Sequence, residues 1–275
     1  MRTLVRSATF LLFAAVAAAQ QNPDWHTSFP AFKIAGNLYY VGTADLAVYL
    51  IRTPQGNILI NSDFAEDVPT VRKSIEQLGF KYSDTKIVLI SHAHGDHDGG
   101  VGIIQKDTGA QVMVMEGDVA AVESKATGRP AAKVDRVLRD GETVELGGST
   151  LIARLTPGHT KGCTTWTMQV DEGGRTLNAV IIGSPNVNAG YVLVGNTNYP
   201  TIASDYEKTF KVLKSLPVDL FLGAHGAYFG MKAKYERMKG GDAKAFIDPA
   251  GYKAYVDERE GAFRKEWERQ KQNQK

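Results

Sequence analysis

The chain has 275 residues, 43% hydrophobic and 23% charged, with 28 Gly, one Cys and six His. That apolar fraction suffices for a sizeable core and excludes wholesale disorder, glycine without a triplet period excludes collagen, and a single cysteine excludes a disulfide scaffold or a thiolate-rich zinc or iron–sulfur site. Thirty-two Lys and Arg against 30 Asp and Glu leave +2, too even for a polyanion-binding surface, so no nucleic-acid partner is expected.

At the N-terminus, Arg2 and Arg6 precede an uncharged run through Phe10-Leu11-Leu12-Phe13 to Ala19, followed by Gln20-Gln21. The run is short for a membrane span, and Ala17 and Ala19 occupy the small-residue positions a signal peptidase prefers. Residues 1–19 therefore read as a cleaved secretory signal and 20–275 as one domain, with no linker-like stretch to divide it. Export places the mature protein in a bacterial periplasm or outside, without stable membrane association after cleavage. Removing the signal takes two Arg and no acid, so the mature chain is neutral. With only Cys163 it forms no internal disulfide.

After a polar lead-in containing Trp25 and His26, β-like runs fall at 32–34, 38–41, 47–51 and 57–60, separated by Ala35-Gly36-Asn37 and Thr53-Pro54-Gln55-Gly56. Val68, Val71, Ile75 and Leu78 recur at helical spacing before Gly79, predicting a helix over 66–78. The unbroken apolar run 86–90 reads as a strand buried on both faces. A loop, 92–100, leads to a helix at 101–108 and a strand at 111–115. Further strands are expected at 143–146, 150–155, 164–170 and 176–182, and helices at 204–215, 229–238 and 249–270. Early strands followed by alternating helices suit two mixed sheets with helices on their outer faces, a layered α/β architecture.

Five of the six histidines lie in three segments: Ser91-His92-Ala93-His94-Gly95-Asp96-His97-Asp98, Thr156-Pro157-Gly158-His159-Thr160 and Gly223-Ala224-His225-Gly226. Each is placed directly after a predicted strand, where α/β proteins assemble sites, so one shared pocket is expected. In an extended segment His92 and His94 point the same way and chelate one ion, with Asp96 and His97 displaced toward a second. Imidazole and carboxylate without thiolate suit zinc or another borderline metal in an open site. A chance His-x-His-x-Asp-His anywhere in the chain has a probability on the order of 10⁻⁴ at this histidine frequency, which makes it a strong signal. His26 stands apart as a surface or packing residue. Taken singly, His225 also reads as a core histidine bonded in its loop.

The order His92-x-His94-x-Asp96-His97, His159, His225 resembles the metallo-β-lactamase superfamily over nearly all of the mature chain. Ile34-Ala35-Gly36-Asn37-Leu38-Tyr39-Tyr40-Val41-Gly42-Thr43, Gly158-His159-Thr160-Lys161-Gly162-Cys163-Thr164-Thr165-Trp166 and Phe246-Ile247-Asp248-Pro249 look most like class B β-lactamases of the third subclass. The resemblance implies a four-layer αβ/βα sandwich and two zinc ions per chain, the first on His92, His94 and His159, the second on Asp96, His97 and His225. It implies opening of a small-molecule β-lactam by a zinc-bound hydroxide that Asp96 orients, in an enzyme expected to be a monomer. Related hydrolases of thioesters and lactones bridge their metals with an aspartate at the end of the strand preceding Ser184, and the first subclass places a cysteine there. This chain has neither between Gly174 and Asp205. Ser184 and Asn186 are the candidates for the substrate carboxylate by the same resemblance, with a turn around Pro185 as the alternative. Tyr191 and Tyr228 either line the pocket or pack, and the loop 43–46 is expected to overhang it. A superfamily hydrolase of another ester, lactone or amide is the alternative function. Two departures stand out: Asp98 adds negative charge beside His97, and Asn61 takes the place of a common aspartate. Cys163 reads as a small buried hydrophobe.

Overall fold

The computed structural model describes residues 22–124 and 129–273; the predicted signal segment lies outside them. Seven strands form one sheet: β1 (Phe32–Ala35), β2 (Leu38–Tyr40), β3 (Tyr49–Thr53), β4 (Gly56–Ile60), β5 (Thr85–Leu89), β6 (Gln111–Met115) and β7 (Arg136–Leu138), in spatial order β1 to β7. The first four pair antiparallel, as expected of a meander, and β4 to β7 run parallel. The second sheet has the order β12-β11-β10-β9-β8, from β8 (Thr143–Leu146), β9 (Ser149–Leu155), β10 (Thr164–Glu172), β11 (Arg175–Ile182) and β12 (Leu220–Gly223). It is antiparallel except for the parallel pair β11 and β12.

Strand alternation decides the layers. In the first sheet Tyr49, Ile51, Ile58, Ile60, Ile87 and Leu89 face the second sheet, where Ala153, Trp166 and Met168 meet them in one buried cluster. Their alternates Leu50, Leu59, Val88 and Val112 point outward. There Val71 and Ile75 of α1 (Val68–Gln77) and Ile104 cover them, the last from α3 (Val101–Thr108), which follows the short α2 (Gly95–Asp98). On the far side, α5 (Ile202–Ser215) and α7 (Pro249–Asn273) cover the second sheet through Phe210 and Phe263. Two short helices, α4 (Val119–Val122) and α6 (Met231–Lys239), complete the helix–sheet–sheet–helix arrangement. No helix among the described residues is long and apolar enough to cross a membrane.

Three details differ from the sequence reading. The helix expected at 229–238 is a 3-10 turn (Gly226–Phe229) and α6, broken at Gly230, whose φ of 64° belongs to the left-handed region. The reading set no bounds for β7 and β12, strands of three and four residues. The 92–100 segment is not extended throughout: a helical turn starts at Gly95, with the His97 and Asp98 amides donating to the His94 carbonyl at 2.8 and 2.9 Å.

Candidate metal centre

The C-terminal ends of β4, β5, β9, β11 and β12 all open onto one edge of the two sheets: β4 and β5 run parallel, as do β11 and β12, and β9 runs in the same sense as β11 because both are antiparallel to β10 between them. The loops leaving them carry Asn61, the His92 segment, His159, Ser184 to Asn188 and His225. Hydrogen bonds hold the seam between the sheets. The Thr164 amide donates to the Ser91 carbonyl at 2.7 Å, Trp166 Nε1 to the Ile90 carbonyl at 3.0 Å, and Tyr49 Oη to the Gly223 carbonyl at 2.7 Å.

The expected ligands converge. His92, His94 and His159 present ring nitrogens within 4.8 Å of one another, and so do the ligand atoms of His92, Asp96 and His97. His225 joins the second group: its Nε2 lies 3.2 Å from His97 Nε2 and 3.4 Å from Asp96 Oδ2. The helical turn at Gly95 swings Asp96 and His97 away from the extended His92-Ala93-His94, so the spacing yields two clusters. They open into a cavity of about 480 Å³ whose walls include Trp25, Phe64, Asn186, Asn188 and Tyr228.

Several observations fit a metal to these residues. Nδ1 of His92 and Nδ1 of His97 are buried with no hydrogen-bond partner in the protein, unlike the satisfied nitrogens of structural histidines. Burial, reinforced by the neighbouring imidazoles, pushes His92 well below the usual range and His159 down to about 3, so the rings are held neutral, as ligands must be. His159 Nδ1 donates to the Asn186 carbonyl at 2.8 Å, which turns its Nε2 lone pair toward the cluster. His225 Nδ1 lies 3.1 Å from Asp45 Oδ2, the carboxylate–histidine arrangement that orients metal ligands. Burial alone would lower His225, but hydrogen bonds to Asp45 and Asp96 outweigh it and lift it to about 9. Burial likewise opposes ionisation of Asp96, yet His97 and His225 hold its carboxyl below the usual carboxylate range. The second cluster is therefore a seat for positive charge.

The roles of two supporting residues escaped the sequence reading. Asp118, which is 3% exposed, accepts from the Ala93 amide at 2.9 Å, the Thr160 hydroxyl at 2.7 Å and the Gly162 amide at 2.8 Å, stapling the His92 loop to the His159 loop. A Cβ at Gly162 would sit 2.5 Å from the Asp118 nitrogen, so the close approach needs glycine. Asp45 also takes the Trp25 indole N–H at 3.0 Å and the Ala227 amide at 2.8 Å. The 43–46 loop is consequently buried beneath His225 and does not overhang the site, while the 22–28 segment lies outside it, with the Ala44 amide on the Thr27 carbonyl at 2.8 Å. Asp45 and Asp118 look like any loop aspartate in sequence, and only their tertiary neighbours give them roles.

Other predicted residues fall as follows. Ser184, 2% exposed, does not line the cavity; its hydroxyl lies behind Tyr228, 3.2 Å from that residue's Oη. Asn186 and Tyr228 do line it, joined by Asn186 Nδ2 donating to Tyr228 Oη at 2.8 Å. Tyr191 packs on His159 and donates to its carbonyl at 2.8 Å. Asp98 is buried in an ion pair with Arg129, which compensates the charge that its position beside His97 suggested. His26 stacks on Phe64 and sits 2.7 Å from Asp67, a packing residue of the cavity's outer wall. Cys163 is fully buried, its thiol pushed up to about 12 by desolvation.

Residues 46–225 match the sequence pattern of the metallo-β-lactamase superfamily, and the chain belongs to that family. Its backbone is similar to the native FEZ-1 metallo-β-lactamase from Legionella gormanii, with 51% identity, a TM-score of 0.88, and 89% of this chain and 98% of the other covered. BJP-1, a subclass B3 metallo-β-lactamase of Bradyrhizobium japonicum, is similar at 37% identity and a TM-score of 0.86 over 92% and 99% of the two chains. Among curated sequences the similarity is to a hydroxyacylglutathione hydrolase of Rhodopseudomonas palustris, 26% identical over 187 residues, 68% of this chain and 64% of that protein's length. The protein is a metallo-β-lactamase superfamily hydrolase with a metal-binding histidine cluster, whose solved neighbours include subclass B3 enzymes.

Proposed function

We propose that the protein is an exported zinc β-lactamase, acting in the periplasm or outside after loss of residues 1–19. His92, His94 and His159 would hold one zinc ion and Asp96, His97 and His225 a second. Zinc bound there supplies a water of lowered pKa and a Lewis acid for the lactam carbonyl, without a covalent acyl-enzyme. The remaining work belongs to the protein. Asp45 and the Asn186 carbonyl fix the ring orientations of His225 and His159. Asp96, held ionised, accepts a proton-bearing hydrogen bond from the attacking water and so aims it. Trp25 and Phe64 form an apolar wall that shields this exchange and packs the substrate's side chain. Asn186, Asn188 and Tyr228 offer neutral donors to the substrate carboxylate, with Ser184 acting from behind Tyr228.

The observation that carries the lactam over the thioester reading is the end of β11. Where the family's thioester hydrolases place a bridging aspartate, this chain has Ser184 buried beneath a tyrosine. A glutathione thioester also brings two carboxylates, and no Lys or Arg lines the described cavity; Arg129, close to Gly95, is paired with Asp98. The test is a hydrolysis panel on the purified protein: a chromogenic cephalosporin, a penicillin and a carbapenem beside a glutathione thioester and an acyl-homoserine lactone. At least one β-lactam should be opened with a kcat/KM at least 100-fold above either other class, activity disappearing with a chelator and returning with zinc. Turnover of thioester or lactone with none of any β-lactam overturns the proposal.

A further inference from the structure

No Lys or Arg lines the metal cavity, yet a β-lactam carries a carboxylate, so the neutral donors there must point the right way to receive it. A second cavity of about 400 Å³ lies behind the 185–190 loop, sharing Asn186 and Asn188 with the first and walled by Arg259 of α7. Arg259 Nη1 lies 3.4 Å from Asn186 Oδ1, and its guanidinium carbon is 5.8 Å from the Tyr255 ring. Tyr255, one helical turn earlier on the same face, stacks on Tyr228 with ring centroids 5.2 Å apart. From Asn186 the relay continues to Tyr228 at 2.8 Å and from Tyr228 to Ser184 at 3.2 Å.

We propose that Arg259 is a positioning residue that sets the direction of this relay and thereby makes the Tyr228 hydroxyl a donor to the carboxylate of a β-lactam; the inference rests on the β-lactamase reading above. The reason is donor counting. A guanidinium has five N–H groups and no acceptor, so the Asn186 atom facing it is the carbonyl oxygen. The amide NH₂ is then turned to Tyr228, whose oxygen accepts from it and, with the Ser184 hydroxyl as the donor of their 3.2 Å contact, from Ser184 as well, so that its single proton is left for the substrate. A tyrosine phenol is neutral at neutral pH, so that proton is available. With an apolar side chain at 259 the two amide orientations become nearly equivalent. The flipped one offers Oδ1 to Tyr228, consumes its proton and leaves the substrate carboxylate without that donor.

The experiment uses the zinc-loaded full protein with a penicillin and with its carboxylate methyl ester. Arg259→Met should raise KM for the acid about tenfold with kcat within twofold, while KM for the ester stays within twofold. Arg259→Lys, another donor without an acceptor, should recover KM to within threefold. Equal losses on acid and ester, or a lysine variant as impaired as the methionine one, overturn the proposal. A second readout needs no turnover: the ¹⁵N–¹H signals of the Asn186 side-chain amide, identified by their loss in Asn186→Asp. They should shift and broaden in Arg259→Met and keep their positions in Arg259→Lys; unchanged signals in Arg259→Met overturn it. A wild-type protein that opens no penicillin, cephalosporin or carbapenem defeats the β-lactamase reading alone, and the amide signals still decide the role of Arg259.

Discussion

Asn61 shows how a departure from a family pattern can be explained by two hydrogen bonds. It is fully buried at the end of β4 with a φ of 68°, a left-handed conformation that Asn and Asp tolerate better than most residues. Its Nδ2 donates to the Ala47 carbonyl at 2.9 Å and its Oδ1 accepts from the Ser91 amide at 2.7 Å, linking the start of the His92 loop to the strand before it. An aspartate keeps the backbone and the Ser91 contact but sets a carboxylate oxygen against a carbonyl oxygen. Leaving a buried acceptor unsatisfied costs about 1–3 kcal/mol, more for a charged group. Asn61→Asp should therefore destabilise the protein by about 2 kcal/mol or more in urea unfolding at neutral pH, with Asn61→Ala losing a comparable amount through both bonds. An unchanged unfolding midpoint in Asn61→Asp would remove the amide from this account. The same contextual reasoning applies to Asp98, whose charge looks intrusive in sequence and is balanced by Arg129 in space.

Among the elements, α5 buttresses two site loops at once. Tyr206 donates to the Asn186 carbonyl at 2.6 Å and Thr209 to the Pro157 carbonyl at 2.6 Å, while the Tyr206 ring lies directly under Gly158. Gly158 has a φ of 124°, and a Cβ there would stand 2.7 Å from the ring. Gly158→Ala thus combines backbone strain with overpacking, each of order 1–3 kcal/mol. It should lower stability by about 2–4 kcal/mol and, by displacing His159, reduce bound zinc below wild type in a metal assay; full zinc content with an unshifted midpoint would show that α5 does not set this loop. Legibility followed the same divide between local pattern and tertiary adjacency. The apolar periodicities behind β4, β5, α1 and α3 and the run His92-x-His94-x-Asp96-His97 are local in sequence and were read directly. Asp118, Asp45, Trp25 and Arg259 act on partners 20 or more residues away, so no spacing announces them. Ser184 is a candidate only through the family resemblance, and its burial behind Tyr228 depends on a residue 44 positions later.

On the scale of the whole molecule, the metal clusters lie across the seam between the sheets. His92, His94, Asp96 and His97 follow β5 of the seven-stranded sheet, whereas His159 and His225 follow β9 and β12 of the five-stranded one. An ion bound in either cluster therefore cross-links both halves of the fold, and the unfolded chain cannot offer that arrangement. A ligand binding only the folded state at 100 times its Kd adds about 2.7 kcal/mol. For a protein of this size each kcal/mol moves Tm by about 2–4 °C, so losing one such ion should lower Tm by about 5–10 °C and losing both by about 10–20 °C. The chelated protein should nevertheless remain folded, because the shared apolar core and the bonds from Trp166, Thr164 and Tyr49 span the same seam without metal. Calorimetry across a zinc titration checks both halves of this expectation: Tm should rise with the logarithm of free zinc from a cooperative metal-free transition. A Tm independent of zinc would mean that the ions do not bridge the sheets, and loss of the transition on chelation would mean that the core alone does not hold them.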